Sequence, residues 1–241
     1  MIDPAEKSTE VPPLAEPASG WAEVAPDVFL DGRLGLFHVN EGWLAVSDIH
    51  FGYEVSRRAA GGLWPLWGMQ SIEARLEELV SDLAPKTLIF TGDIVDSAAA
   101  PDEALSWLSR VAALGPDVVL IEGNHDRGRI RRHFDLVPFF RSGSFFFHHG
   151  HEYYFEEESQ GEPGLVEIAG HRHPSIRFSD GTGTSLRLPT LAMESLPHHS
   201  RWILPAFSPW AGGSAYQPSE HCSKFRQWAC GQSRVFELYH S

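Results

Sequence analysis

The feature that most constrains the fold of this chain is a short apolar run that ends abruptly in polar residues. Val118–Ile121 are apolar and mostly β-branched, and Gly123-Asn124-His125-Asp126 follow almost directly. Such a run predicts a buried strand, and open α/β folds bind ligands at the carboxyl ends of their strands. Apolar runs also precede Asp48-Ile49-His50, Gly92-Asp93-Ile94-Val95-Asp96, His148-His149-Gly150-His151 and Gly170-His171-Arg172-His173. We therefore expect oxygen and imidazole groups from five strand ends to meet at one rim.

Length and composition indicate a globular protein of the cytoplasm. The chain has 241 residues, which is enough for one large domain with a full hydrophobic core. No apolar run approaches the roughly 18–20 residues that span a bilayer, so we expect no membrane association. Two cysteines, Cys222 and Cys230, cannot form a disulfide framework, which favours a reducing compartment. The net charge of −13 argues against broad, non-specific attraction to nucleic acid.

The order of the elements predicts one α/β domain preceded by a leader. Residues 1–20 contain four prolines and little apolar periodicity, so we expect a flexible leader at 1–20 and a folded domain at 21–241. Strand-like runs alternate with helical patterns at 69–83 and 101–114, which predicts a largely parallel sheet. Further strands are expected at 144–148, 164–169, 175–178, 185–188, 201–204 and 234–238. The segment after Gly52, residues 53–67, and the acidic stretch 156–158 are expected to be irregular.

The polar residues at the strand ends suit two metal ions better than one. Mixed carboxylate, amide and imidazole groups favour manganese, iron or zinc over calcium. Each motif alone is also compatible with an ordinary turn or surface histidines, but their joint occurrence favours a metal site. The candidate ligands are too many for one catalytic ion, and they suit two ions about 3.5–4 Å apart that share a carboxylate and a hydroxide. They are Asp48, His50, Asp93, Asn124, His149, His171 and His173.

Taken together, the motif segments resemble the signatures of the calcineurin-like metallophosphoesterases. The motifs span Asp48 to His173, and the similarity extends over the chain from about Val28 onward. The resemblance implies an α/β fold, a four-layer α/β/β/α sandwich of two mixed sheets. It also implies an enzyme, a metal-dependent phosphoric ester hydrolase with two divalent ions, manganese first and iron or zinc as alternatives.

The same resemblance implies a role for each motif residue. It places Asp48, His50 and His173 on one metal and Asn124, His149 and His171 on the other, with Asp93 bridging. It makes His125 the acid that protonates the leaving oxygen, with Asp126 orienting its ring. His149 is preferred to His148 and His151 as the ligand because it directly precedes Gly150, as in the family.

A narrower resemblance concerns the substrate. Residues 47–52, 204–207 and 212–213 are similar to small stand-alone phosphoesterases that are related to the double-strand-break repair nuclease. Their genes are often associated with DNA ligase or helicase genes. We therefore expect a phosphodiesterase or nuclease that acts on single-stranded DNA or nucleotides, with DNA ligase- or helicase-associated proteins as candidate partners. A small-molecule phosphatase or cyclic-nucleotide phosphodiesterase is the alternative enzyme. A catalytically silent protein-binding scaffold is a third hypothesis, against which the full ligand set and His125 argue.

Three further groups of residues have two interpretations each. The arginines of the segment Arg127–Arg132 either bind phosphate or form a solvated helix face. Trp64 and Trp67 either stack on bases or pack beneath a loop. Cys222 and Cys230 either bind zinc with a nearby histidine or remain free thiols, and their wide spacing favours free thiols.

Overall fold

The computed structural model describes residues 20–96, 101–126, 130–152, 154–158, 162–231 and 233–238, so the expected leader lies outside the described residues except for Gly20. Two β-sheets form the centre of the structure. The first has seven strands in the order β1-β2-β3-β4-β5-β6-β7. Its strands are β1 (Trp21–Ala25), β2 (Val28–Asp31), β3 (Gly35–His38), β4 (Trp43–Val46), β5 (Thr87–Thr91), β6 (Asp117–Ile121) and β7 (Leu136–Val137). Strands β1 to β4 are antiparallel, whereas β4 to β7 are parallel, so the carboxyl ends of β4, β5 and β6 share one edge.

The second sheet has eight strands and is also mixed. They are β8 (Phe139–Ser142), β9 (Phe145–His148), β10 (Val166–Ala169), β11 (Ser175–Ser179), β12 (Ser185–Ser195), β13 (Ser200–Ile203), β14 (Lys224–Gly231) and β15 (Arg234–Leu238). The order is β15-β14-β12-β13-β10-β9-β8, and β11 pairs with β12. Strands β9, β10 and β13 are parallel to one another, so β9 and β10 also end at a common edge. The sequence predicts neither β8 nor β14, and it ends β12 seven residues early.

The helices are α1 (Tyr53–Ala59), α2 (Gly68–Leu83), α3 (Pro101–Ala112), α4 (Ile130–His133) and α5 (Tyr154–Glu158). The two predicted helices are present as α2 and α3. The expectation of an irregular segment at 53–67 is wrong for α1, whose single buried residue is Glu54. Because α1 has no apolar stripe, its sequence gives no helical period to detect. No helix in the described part of the chain is long and apolar enough to cross a membrane.

The layers follow from the alternation of side chains along the strands. Phe90 of β5 contacts Trp107 of α3, with ring centroids 5.9 Å apart, so this face of the first sheet is covered by helix. Trp43 of β4 points the other way and contacts Phe145 and Phe147 of β9, at centroid distances of 5.1 and 5.0 Å. The first sheet therefore lies between the helices and the second sheet, and one hydrophobic cluster includes residues of both sheets.

The expected α/β fold with two mixed sheets is confirmed. The outermost layer over the second sheet is thin, since in the described residues it contains a single helix, the five-residue α5. Phe155 of α5 packs on Phe146 of β9 in a small cluster separate from the main core. The acidic stretch 156–158, expected to be a loop, belongs to this helix.

Candidate metal centre

The predicted ligand motifs meet where the two sheets end side by side. Backbone hydrogen bonds connect the loops after β4 and β5, since the His50 N–H donates to the carbonyl of Asp93 at 2.9 Å. The loops after β9 and β10 are joined in the same way, by the Gly170 N–H and the carbonyl of His149 at 3.1 Å. A third bond links the two pairs, because the His171 N–H donates to the carboxylate of Asp48 at 3.0 Å. The loops of both sheets therefore form one connected site.

The first group of candidate ligands consists of Asp48, His50 and His173. One ligand atom from each lies within 4.8 Å of the others. Nε2 of His173 is 3.0 Å from Oδ1 of Asp48, which is completely buried. Both ring nitrogens of His50 are buried without a hydrogen-bond partner. A buried imidazole nitrogen that faces carboxylates and has no hydrogen-bond partner is free to bind a metal, so the residues fit a divalent ion here.

The second group consists of Asp93, His149 and His171, again with ligand atoms within 4.8 Å of one another. Nε2 of His149 lies 3.3 Å from Oδ1 of Asp93 and 3.1 Å from Oδ1 of Asn124, which brings the amide ligand into this group. The other oxygen of Asp93, Oδ2, lies 3.9 Å from Nε2 of His50. Asp93 therefore presents one oxygen to each group of ligands.

The backbone at this site is held in an unusual conformation. Left-handed φ angles are rare outside glycine and cost roughly 1–3 kcal/mol each. Among the candidate ligands, such angles occur at Asp48 (53°), His50 (48°), Asp93 (49°), His171 (67°) and His173 (44°). Gly92 precedes Asp93 at φ 87°, and a Cβ there would collide with the ring of His149. Strain concentrated on the ligand residues is typical of a functional site whose geometry is imposed by the surrounding fold.

The local electrostatics favour the forms that bind metal. Burial raises the pKa of Asp48, but the hydrogen bond and positive charge of His173 outweigh this effect and hold the pKa below its ordinary value. Burial also raises the pKa of Asp93, but the hydrogen bond and positive charge of His149 outweigh this effect and lower the pKa. Both carboxylates are therefore anions at neutral pH. Burial lowers the pKa of His50, which leaves the ring neutral, as a ligand must be.

The pKa values of two other histidines shift in the opposite direction to that of His50. Burial alone would lower the pKa values of His149 and His173, but their carboxylate neighbours, Asp93 and Asp48, raise both above the ordinary value. A metal ion has to displace the protons of these rings, so its affinity is expected to fall as the pH decreases.

His125 lies at the open side of the site. Its side chain is 42% exposed, with Nε2 at 4.0 Å from Oδ2 of Asp93 and Nδ1 at 3.7 Å from Oδ1 of Asp96. Oδ1 of Asp96 is also 3.7 Å from Nδ1 of His50. The carboxylate beside the His125 ring is therefore Asp96, a motif residue to which the sequence assigns no role.

The carboxylate of Asp126 is bonded to the backbone of two ligand loops. It accepts hydrogen bonds from the backbone N–H groups of Ile94, Val95 and Gly123, at 2.9, 3.0 and 2.9 Å. These bonds use both oxygens and join the Asp93 loop to the Asn124 loop. Asp126 thus fixes the backbone of two ligand loops, and its role in orienting the ring of His125 stays a prediction.

The structure separates the three neighbouring histidines of the fourth motif. His148 points away from the other ligands, and its Nε2 lies 3.0 Å from Oε1 of the buried Glu167. The ring of His151 lies 5.1 Å from that of His149, but His149 is the one in contact with Asp93 and Asn124. Of these three histidines, His149 is therefore the one that contacts the other candidate ligands.

The remaining sequence candidates lie elsewhere. Within the arginine segment, Arg131 donates to the carbonyl of Asp126 at 3.0 Å and pairs with Glu122, while Arg127 and Arg129 lie outside the described residues. Cys222 and Cys230 do not form a disulfide bond with each other, and Cys230 is buried whereas Cys222 is partly exposed.

Comparison with known proteins agrees with this geometry. The family model described as calcineurin-like phosphoesterase matches residues 44–224, which is most of the chain and includes every motif segment. This chain belongs to the calcineurin-like phosphoesterase family. Together with the groups of candidate metal ligands at this site, membership makes the protein a metal-dependent phosphoester hydrolase.

Solved structures that match the chain include two bacterial proteins and one from fish. The chain is 24% identical to the Pseudomonas putida nuclease MPE, with a TM-score of 0.62, over 91% of this chain and 100% of that one. It is 17% identical to the Escherichia coli phosphoesterase Yfce, with a TM-score of 0.46, over 81% and 97% of the two chains. A dimetal phosphatase from Danio rerio is 11% identical, with a TM-score of 0.40, over 83% and 98%. No curated protein sequence matches the chain. At 24% identity, the similarity to the nuclease MPE indicates a shared fold.

Proposed function

We propose that this protein is a dinuclear phosphodiesterase that hydrolyses phosphodiester bonds in single-stranded DNA or nucleotides. The observation that carries the proposal is the position of Asp93, whose two oxygens face two separate groups of ligands. Asp48, His50 and His173 would hold one divalent ion, and Asn124, His149 and His171 would hold the other. When bound, such a pair supplies Lewis-acid activation of a phosphoryl oxygen and a nucleophile at neutral pH.

His125 provides the proton for the leaving group. Its ring is partly exposed and lies within 4.0 Å of Asp93, so it can reach an oxygen of a phosphate bound at the centre. An imidazole in this place donates a proton to the alkoxide that leaves when the ester bond breaks. The carboxylate of Asp96 faces Nδ1 of this ring at 3.7 Å and is placed to orient it.

Two cavities that border the centre favour a diester over a monoester. One cavity of about 660 Å³ borders His173 and is also lined by Arg75 and Arg187. Another, of about 680 Å³, borders His171 and is also lined by Arg172. A phosphodiester carries an organic group on each side of the phosphorus, and both cavities have the size of ordinary small-ligand sites. The similarity to the Pseudomonas putida nuclease MPE adds the precedent of a nuclease with this fold.

We propose manganese as the metal, because the ligands combine carboxylate, amide and imidazole groups. The decisive experiment compares bis(p-nitrophenyl) phosphate, p-nitrophenyl phosphate and a single-stranded oligonucleotide after reconstitution with manganese, iron or zinc. We expect hydrolysis of both diesters to exceed that of the monoester, and to be greatest with manganese. Faster cleavage of the monoester would instead identify a small-molecule phosphatase. Activity that survives complete metal removal would contradict the dinuclear proposal.

A further inference from the structure

A group of aromatic side chains lies on the surface close to the metal centre. It consists of Tyr53, Trp64, Trp67 and Trp210, which we call the aromatic platform. Trp210 is in its middle, with ring centroids 4.5 Å from Trp67, 5.1 Å from Trp64 and 6.5 Å from Tyr53. None of these rings belongs to the hydrophobic clusters of the described residues, so packing in the core does not explain them.

The backbone fixes the platform to two of the proposed ligands. The Tyr53 N–H donates to the carbonyl of His50 at 3.0 Å, which starts α1 directly after the first motif. On the other side, the Ser208 N–H donates to the carbonyl of Asp48 at 3.0 Å, and the Trp210 N–H donates to Oγ of Ser208 at 3.3 Å. The aromatic rings are thus held next to the loop that carries Asp48 and His50.

A buried carboxylate sets the orientation of the central ring. Glu54 is completely buried and accepts hydrogen bonds from Nε1 of Trp210 at 2.9 Å and from the Met69 N–H at 2.8 Å. Gly68 leaves no space for a side chain, since a Cβ there would collide with Trp210 and Glu54. A buried carboxyl group is costly unless it is hydrogen-bonded, and both oxygens of Glu54 have a partner. The ring of Trp210 is therefore held in one orientation.

The outer surface of the platform is apolar and borders on positive charge. Trp67 is 46% exposed and the nearby Leu63 is fully exposed, which is unusual for residues of this size. The guanidinium of Arg57 lies over the ring of Tyr53, 4.7 Å from its centroid, and Arg58 donates to the carbonyl of Trp64 at 3.1 Å. Exposed aromatic rings with guanidinium groups beside them are what proteins use to bind single-stranded nucleic acid. On a chain of net charge −13, this surface combines stacking rings with local cations.

We propose that the aromatic platform stacks on unpaired bases of a single-stranded DNA substrate and thereby places a neighbouring phosphodiester at the metal centre. The inference rests on the proposed phosphodiesterase function and names what binds beside that site. Bases in a duplex already stack on one another, so the platform selects single strands. Loss of one stacking partner is expected to weaken binding by about 5- to 150-fold.

The test uses Trp67→Ala, because Trp67 is the most exposed ring of the platform. Phe178→Ala is the matched control, since Phe178 is an exposed aromatic residue, 38% accessible, on β11 of the second sheet. Binding of oligodeoxythymidylate and of an abasic oligonucleotide of equal length is measured with the full chain and a non-cleavable backbone. The kcat/KM values for a cleavable oligonucleotide and for bis(p-nitrophenyl) phosphate are measured in parallel.

We expect Trp67→Ala to weaken binding of oligodeoxythymidylate by about 5- to 150-fold and to reduce the ratio of oligonucleotide to small-ester kcat/KM. The abasic oligonucleotide should bind wild type weakly, and Phe178→Ala should resemble wild type. Equal binding of both oligonucleotides by wild type, or unchanged binding by Trp67→Ala, would contradict the proposal that the aromatic platform stacks on bases. Self-association that Trp67→Ala abolishes without affecting DNA binding would also overturn it and identify a contact between two copies. Failure to cleave either diester would refute the proposed function separately, because binding is measured independently of cleavage.

Discussion

Replacing Asp126 with alanine tests whether this carboxylate holds two loops of the metal centre together. Its oxygens accept hydrogen bonds from the N–H groups of Ile94, Val95 and Gly123, and the residue is completely buried. The substitution therefore leaves three backbone donors in the interior without an acceptor. An unpaired buried donor costs about 1–3 kcal/mol, so the gross loss is about 6 kcal/mol.

Part of this loss is offset by removal of a buried charge. Burial raises the pKa of Asp126 to about 6, in spite of the three hydrogen bonds that lower it. A shift of about 2 pKa units corresponds to about 3 kcal/mol against the ionised form at neutral pH. The expected net decrease in the free energy of unfolding is therefore about 3 kcal/mol, or a fall in Tm of about 6–12 °C.

The assay is denaturant unfolding at neutral pH in the presence of EDTA, which separates protein stability from metal binding. Asp117→Ala is the matched control, since this exposed residue begins β6, the strand that leads to Asp126. The control should change stability by no more than about 0.5 kcal/mol. If Asp126→Ala unfolds like wild type while its turnover falls, the carboxylate acts on the ring of His125 and the assignment to the loops is wrong.

Three further substitutions probe the catalytic groups and the second sheet. His125→Ala should retain its metals while its turnover of DNA falls by a factor of about 10²–10⁴. Its turnover of nitrophenyl esters should fall less, because their leaving groups need no proton. Loss of metal, measured by elemental analysis, would make His125 a ligand. Asp96→Asn should reduce DNA turnover by about 10- to 100-fold with the same tolerance for nitrophenyl esters, and an equal loss on both substrates would exclude a role through His125. Glu167→Gln should destabilise the protein by about 3–5 kcal/mol near neutral pH, since Glu167 is the buried partner of His148 and Arg201. Burial raises the pKa of Glu167, but the hydrogen bond from His148 and its other partners lower it overall, so its contribution is complete above a pH of about 4.3 and is lost as the pH falls through the lower folded pKa. The difference between Glu167→Gln and wild type in urea unfolding should therefore shrink at acid pH, and a constant difference would contradict this assignment.

Local patterns in the sequence are sufficient for the strands that end at the metal centre. Each is a short apolar run followed at once by acidic, amide or histidine residues, and parallel strands necessarily bring such ends together. Helix α2 can also be predicted from the sequence, because Ile72, Leu76 and Leu79 repeat at helical spacing. In contrast, α1 buries only Glu54, so the hydrophobic pattern by which helices are recognised is absent.

The remaining features depend on contacts between distant segments. The role of Asp126 rests on backbone donors of residues 94 and 95, and no property of its own motif indicates them. Asp96 is recognised beside His125 only when the loops after β5 and β6 are adjacent. The aromatic platform combines Trp64 and Trp67 with Trp210, which follows β13 far along the chain. The left-handed backbone at the ligands is likewise a product of the whole fold, since aspartate and histidine do not require it.

The central claim, that Asp93 lies between two metal ions, is tested most directly by counting bound metal. Purified wild type, Asp93→Ala and the control Asp117→Ala are stripped with EDTA, reconstituted with manganese, freed of excess metal and analysed by plasma mass spectrometry. We expect two ions per chain in wild type and in the control, one beside each oxygen of Asp93, since these oxygens face His50 and His149. Asp93→Ala should retain less than one ion and lose activity on diesters, because both groups share this carboxylate. One ion per chain in wild type, or two ions retained by Asp93→Ala, would contradict the account.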